Sequence, residues 1–213
     1  MPKVAYSNEE KEKVKEALII TGLKLMSEQG IQQTRIEQVY RQVGISRSFF
    51  YSFFPAKEEL ILEVIYYQQP KLIAHVQALV NESALDWKVQ FRDFLYECCS
   101  NEVNRFAIMS VEEQQVLFKS LSKQRREEFR ERQLKMFTQI LRLFGLEIDE
   151  KRVKLLFNLV LSIIIVQRSI PDTLPFLFQE EAKTMLEVQC EGLIEYMENL
   201  NRSEQNGIIF KNV

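Results

Sequence analysis

Residues 34–57 read TRIEQVYRQVGISRSFFYSFFPAK, and the rest of the chain is read outward from them. Ile36, Val39, Tyr40 and Val43 fall at i, i+3, i+4 and i+7, which is one apolar face of a helix. Thr34 precedes that face and Glu37 follows three residues later, the spacing of a capping box. Gly44 comes just past the last periodic residue, where a helix ends most readily on a left-handed residue. Ser46 offers the N-cap of a second short helix, in which Phe50 and Phe54 share a face. Two short helices joined by a glycine-containing turn of about three residues make a helix-turn-helix. Arg35, Arg41, Arg47 and Lys57 outweigh Glu37 within this stretch, although the whole chain carries a net charge of −2. The positive charge is therefore local, as an element that docks in a nucleic-acid groove requires.

Residues 8–62 resemble the DNA-binding domain of TetR-family transcriptional regulators. The resemblance rests on Gly30-x-x-x-Thr34, Val43-Gly44-Ile45-Ser46, Tyr51-x-x-Phe54 and Lys57-Glu58-x-Leu60, all in one register. It implies that Arg47 to about Phe54 form the recognition helix, whose first residues face base edges in the major groove. Arg47 can donate two hydrogen bonds to guanine O6 and N7. Ser48 and the backbone near Ser46 suit phosphate or base contacts, and Tyr51 matches a family tyrosine that touches phosphate. Thr34, Arg35 and Lys57 are expected to grip the flanking backbone. Phe49 stands where the family often has a polar or small residue; it either presses on a thymine methyl or turns inward beside Phe53.

The bulk composition agrees with an all-α chain. In 213 residues, 46% hydrophobic and 27% charged, there are only six Gly and five Pro, so helix formers dominate. Three cysteines make no disulfide framework and suggest a reducing cytoplasm. The first residues, MPKVAYS, hold no apolar segment of the kind a secretory signal needs. Helix one is expected to begin near Ser7 or Asn8, where Ser7 and Glu10 have capping-box spacing, and to end at Gly30. Gly22 lies mid-helix, where the family usually has Ala. The family usually has Ala at the position of Tyr40 too, so either Gly22 makes room for the Tyr40 ring, or the two departures from the family pattern are unrelated.

Helix four starts at Ala56 or Lys57, and Pro70 should kink or restart it because proline lacks an N–H. In TetR relatives this helix joins two domains. The expected division is therefore a helix-turn-helix DNA-binding domain over 1–62 and a helical effector-binding and dimerisation domain over 63–213. The body shows helical patterns over 85–99, 103–121, 123–144, 153–166 and 176–200, with a frayed tail over 201–213. Residues 153–166, VKLLFNLVLSIIIV, are apolar on every side but a stripe of Lys154, Asn158 and Ser162. Such a helix must be covered almost all round, yet it is shorter than the roughly 20 residues of a membrane span.

In the family the last two major helices pair with their mates in a homodimer. That implies an interface including Val160, Ile163, Ile164, Leu186, Leu193 and Met197. It also implies a small-molecule effector, apolar or aromatic, held in the body among Phe91, Phe94, Phe106, Met109, Phe118, Phe137 and Phe157. No cofactor, metal or membrane is implied. Cys98 and Cys99 are adjacent but have no CxxC or His-rich companion. His75 is the only histidine, and no Walker or dinucleotide motif occurs, which argues against an enzyme. The expected function is a DNA-binding regulator, most often a ligand-released repressor in this family, acting on a palindromic operator. The alternative is an all-helical small-molecule-binding or adaptor protein that no longer binds DNA.

Overall fold

The computed structural model describes residues 6–82, 85–100, 109, 111–170 and 178–205. All regular structure among them is helical: α1 (Asn8–Gln29), α2 (Ile36–Val43), α3 (Arg47–Phe53), α4 (Lys57–Glu82), α5 (Trp87–Cys99), α6 (Val111–Ser120), α7 (Lys123–Leu143), α8 (Glu150–Arg168) and α9 (Ala182–Gln205). A 3-10 turn, Gln179–Glu181, leads into α9. The all-α expectation holds. No helix among the described residues is long and apolar enough to cross a membrane.

The chain forms two compact units. The first holds Met1–Lys71 and Asn104–Arg126, the second Leu72–Val103 and Glu127–Val213. The line between them falls inside α4, one residue past Pro70. Pro70 itself does not end the helix, contrary to one reading of the sequence. It lies on an exposed face, where the missing N–H removes one intrahelical bond without forcing a turn.

In the first unit, the Ser7 hydroxyl accepts from Glu10 N at 3.2 Å and Ser7 N donates to Glu10 Oε2 at 2.7 Å. That closes the expected capping box. These bonds to Ser7 hold the Glu10 carboxyl below the usual carboxylate range. Leu18, Leu25, Met26, Val39, Phe50, Phe54, Leu60 and Val64 are buried and make the core. The start of α2 differs from the sequence reading, because the N-cap is Arg35 rather than Thr34. Arg35 N donates to Gln38 Oε1 at 2.8 Å, so glutamine at the third position replaces the expected Glu37. The Thr34 hydroxyl instead donates back to Gly30 O at 2.8 Å and seals the α1–α2 turn. Residues of α6 and the start of α7 belong to this unit as well. Glu113 Oε1 accepts from Gln32 N at 3.0 Å, and Arg125 pairs with Glu59.

Gly22 is explained by α4 rather than by Tyr40. A Cβ at Gly22 would sit 3.2 Å from Val64 Cγ2 and 3.4 Å from Leu60 Cδ2. The missing side chain lets α1 and α4 approach closely in the unit's core. Gly22→Leu should therefore lower unfolding stability by about 1–3 kcal/mol through overpacking. An unchanged denaturation midpoint would show that the site is roomier than this contact implies.

In the second unit, α5 packs against α8 and α9. Phe91, Phe94 and Phe144 form one ring cluster, with centroids 5.3 Å and 6.0 Å from Phe144. Phe137 meets Phe157 edge-on at 5.2 Å. The Arg168 guanidinium reaches across from α8 to the end of α5, donating to Cys98 O at 2.7 Å. It thereby satisfies a carbonyl that the helix terminus leaves without an intrahelical partner. His75 Nε2 lies 2.5 Å from Glu97 Oε2, tying α4 to α5.

Candidate nucleic-acid interface

The geometry at α2–α3 follows from three local choices of residue. Gly44 adopts φ 79° and ψ 27°, a left-handed conformation that a side chain would strain, and so ends α2. Ile45 N bonds to Tyr40 O at 3.0 Å, closing the turn. Ser46 then caps α3, its hydroxyl accepting from Phe49 N at 3.2 Å. Phe50 and Phe54, at 0% and 1% exposure, anchor the inner side of α3 in the core. The opposite side is left to solvent.

On that outer side Ser46, Arg47, Ser48 and Tyr51 are all exposed. The Ser46 and Ser48 hydroxyls lie 3.1 Å apart. The Arg47 guanidinium sits 5.7 Å from the centre of the Tyr51 ring, a cation–π contact one turn along the helix. Arg47 has no carboxylate partner among the described residues, so its charge is available. Arg35 is likewise exposed at the start of α2. Arg41 is different: its guanidinium pairs with Glu37 at 2.5 Å.

Three other sequence-predicted residues are engaged inside the protein. Thr34 is 1% exposed and holds the α1–α2 turn, so its side chain positions the start of α2 rather than facing a groove. The Lys57 ammonium donates to Ile31 O at 2.7 Å and Gln32 O at 3.3 Å. Burial lowers its pKa, with Glu113 and Glu58 opposing that fall. Any phosphate it met would share an ammonium already committed to two carbonyls. Phe49 is half-buried, its ring stacked on Tyr6 at 4.6 Å and set edge-on to Phe53 at 5.0 Å. Both readings of Phe49 have something to stand on, since it does lie beside Phe53 yet stays near the outer face.

The sequence reading missed Tyr6 and the Gln29–Gln38 pair. Gln29 Nε2 donates to Thr34 Oγ1 at 3.3 Å and Gln38 Oε1 at 3.1 Å, which locks α1 to α2. Neither had an apolar period to reveal it, because both work through single polar or ring contacts.

The residues predicted to line an effector pocket are mostly packed on each other. Phe91, Phe94 and Phe137 are buried, while Phe157 is half-buried against Phe137. Phe118 lines a shallow groove with Gln114, Gln115, Lys119 and Arg126. Met109 O accepts from Gln114 Nε2 at 3.3 Å, and Phe106 lies outside the described residues. The residues predicted for a dimer interface, Val160, Ile163, Ile164, Leu186, Leu193 and Met197, are each at most 8% exposed within the single chain. They fill its own core. The large apolar side chains left open on α8 and α9 are Leu155 at 45%, Leu159 at 38% and Val188 at 68%.

Cys98, Cys99 and Cys190 are free and buried. No group of three metal-ligating side chains occurs among the described residues. Burial pushes the Cys98 and Cys99 thiols up to about 12 and Cys190 to about 11. The thiolate is the nucleophile, so such thiols are slow. Native protein at pH 8 should resist alkylation by iodoacetamide, while denatured protein reacts at all three sites. Rapid labelling of the native state would contradict the burial. The folded pKa values lie above the unfolded ones, so the stability these neutral thiols contribute is complete below about pH 9. It is lost as the pH rises toward 11 and 12.

Residues 18–64 match the sequence model of the family described as bacterial regulatory proteins, tetR family. The chain is 37% identical over 65 residues to YuxN of Bacillus subtilis (strain 168), described as an uncharacterized HTH-type transcriptional regulator. That match covers 30% of this chain and 22% of the relative's length, so less than a third of either protein is compared. Over nearly the whole chain the fold is similar to a TetR-family regulator from Pectobacterium atrosepticum. The TM-score is 0.64 at 15% identity, covering 92% of this chain and 98% of that one. It is also similar to RolR in complex with resorcinol, at TM-score 0.54 and 18% identity, covering 90% and 96%.

Proposed function

We propose, from the premise that this chain carries the N-terminal domain of the TetR family of bacterial regulators, that it is a transcriptional regulator binding double-stranded DNA as a homodimer. The observation that carries this reading is the exposed outer side of α3. There Arg47, Ser46, Ser48 and Tyr51 stand together on a helix fixed from beneath by Phe50 and Phe54. Arg47 reads a base edge, and Ser46, Ser48, Tyr51 and Arg35 bond phosphates. Thr34 and Lys57 act by holding the α1–α2 turn that presents Arg35. Residues 1–62 serve this role, and 63–213 serve dimerisation and effector binding.

The dimer pairs through α8 and α9. Leu155, Leu159 and Val188 support this, since an aliphatic side chain left open on a helix gains by being covered. Gly192 has no atom within 4 Å of a would-be Cβ, so a partner backbone can approach there. The effector is an apolar or aromatic small molecule, a reading supported by the ring-rich second unit and by the resorcinol bound to the similarly folded RolR. Because the rings of Phe91, Phe94 and Phe144 are already packed, an effector entering among them would favour a different arrangement of the unit. Only unequal binding to the two arrangements can release DNA.

The experiment is selection of duplexes from a random pool by the full-length protein. The expected winners contain two inverted half-sites about 34 Å, or one helical turn, apart. A pool that shows no enrichment would contradict the reading.

A further inference from the structure

The recognition helix is touched by a residue from outside the helix-turn-helix. Tyr6 precedes the N-cap Ser7, and the capping box between Ser7 and Glu10 fixes the backbone at that point. From there the Tyr6 ring stacks on Phe49 with centroids 4.6 Å apart and planes 30° apart. Phe49 in turn meets Phe53 edge-on. Phe49 is the third residue of α3, directly after Arg47 and Ser48. A core role would cover Tyr6, yet it stays 45% exposed. Its hydroxyl has no partner among the described residues.

Resting on the DNA-binding reading above, we infer that Tyr6 is a further DNA-contact and positioning residue. Its ring holds Phe49 beside the base-reading turn of α3, and its hydroxyl donates to a phosphate flanking the groove. Tyrosine is suited to both tasks, because its ring stacks as an apolar body while its phenol bonds to phosphate oxygen. The stack also explains how a phenylalanine can stand near the outer face of a DNA-reading helix. One ring face is covered by Tyr6 and its edge region by Phe53, leaving limited apolar area for a thymine methyl.

The test uses the full-length protein, the best duplex from the selection, and the variants Tyr6→Phe and Tyr6→Ala. Tyr6→Phe keeps the stack and removes only the hydroxyl. It should bind all sequences roughly 2- to 10-fold more weakly, the range of one lost hydrogen bond, with base preference unchanged. Tyr6→Ala also frees Phe49, so it should bind more weakly still and show altered preference at the base pairs that Arg47 and Phe49 face. Thermal unfolding of each variant reports any purely structural effect. If the wild type binds and Tyr6→Phe matches it, with Tyr6→Ala lowering only the melting temperature, Tyr6 is packing and the inference falls alone. If the wild type itself binds no duplex, the DNA-binding reading falls first and takes this one with it.

Discussion

Leu155→Glu combined with Leu159→Glu is expected to make the protein monomeric and to weaken its binding to a two-half-site duplex by roughly a hundredfold or more, the scale of lost bivalency. Both positions lie on the exposed side of α8, at 45% and 38% exposure, while Val160, Ile163 and Ile164 on the same helix are buried. New carboxylates would therefore leave the chain's own core intact and fall where a second copy should pack. Charge buried at a pairing face without a partner is strongly unfavourable. Sedimentation velocity should show half the mass with an unchanged far-ultraviolet spectrum. If the variant still dimerises, the pairing face lies elsewhere on the chain.

Arg47→Ala has the second large effect. Loss of a bidentate contact to guanine costs about 1–3 kcal/mol, or roughly 5- to 150-fold in affinity, and relaxes choice at that base pair alone. Stability should barely move, because Arg47 is exposed and its guanidinium meets the Tyr51 ring on its own helix. Arg35→Ala is the control: a phosphate contact weakens every sequence alike and reduces the salt slope by about one. Competition binding against duplexes altered at single positions separates the two. Equal weakening across all sequences for Arg47→Ala would reassign it to phosphate.

Much of the first unit could be read from residues whose local chemistry admits one answer. Gly44 needs a left-handed conformation, Ser46 and Ser7 need a backbone N–H to cap, and Phe50 and Phe54 recur on one face. Each of those preferences is satisfied within a few residues, so sequence spacing suffices. Thr34 shows where spacing fails. Spacing to Glu37 pointed to Thr34 as the cap, but Gln38 Oε1 accepts from Arg35 N and the threonine hydroxyl bonds back to Gly30 O, so the helix starts one residue later. Gly22 fails for a related reason, since its neighbours Leu60 and Val64 come from a different helix, far along the chain. The stripe on α8 was legible as periodicity: Lys154, Asn158 and Ser162 are all exposed. Which apolar residues complete the protein's own core was not, because periodicity assigns a face without saying what covers it. Val160 and Leu159 are adjacent in sequence and equally apolar, yet 6% and 38% exposed. Tyr6 gave no signal at all, as a lone aromatic before a helix cap has no period.

The most direct test is the salt dependence of binding between the full-length protein and its selected duplex. Phosphate contacts from two protomers release counterions, so log K should fall linearly with log[salt], with a slope of about −0.9 per phosphate neutralised. The account predicts a steep negative slope, several phosphates' worth, that drops when Arg35 is replaced in both protomers. Binding that ignores salt, or no retention of any duplex in dilute buffer, would contradict it.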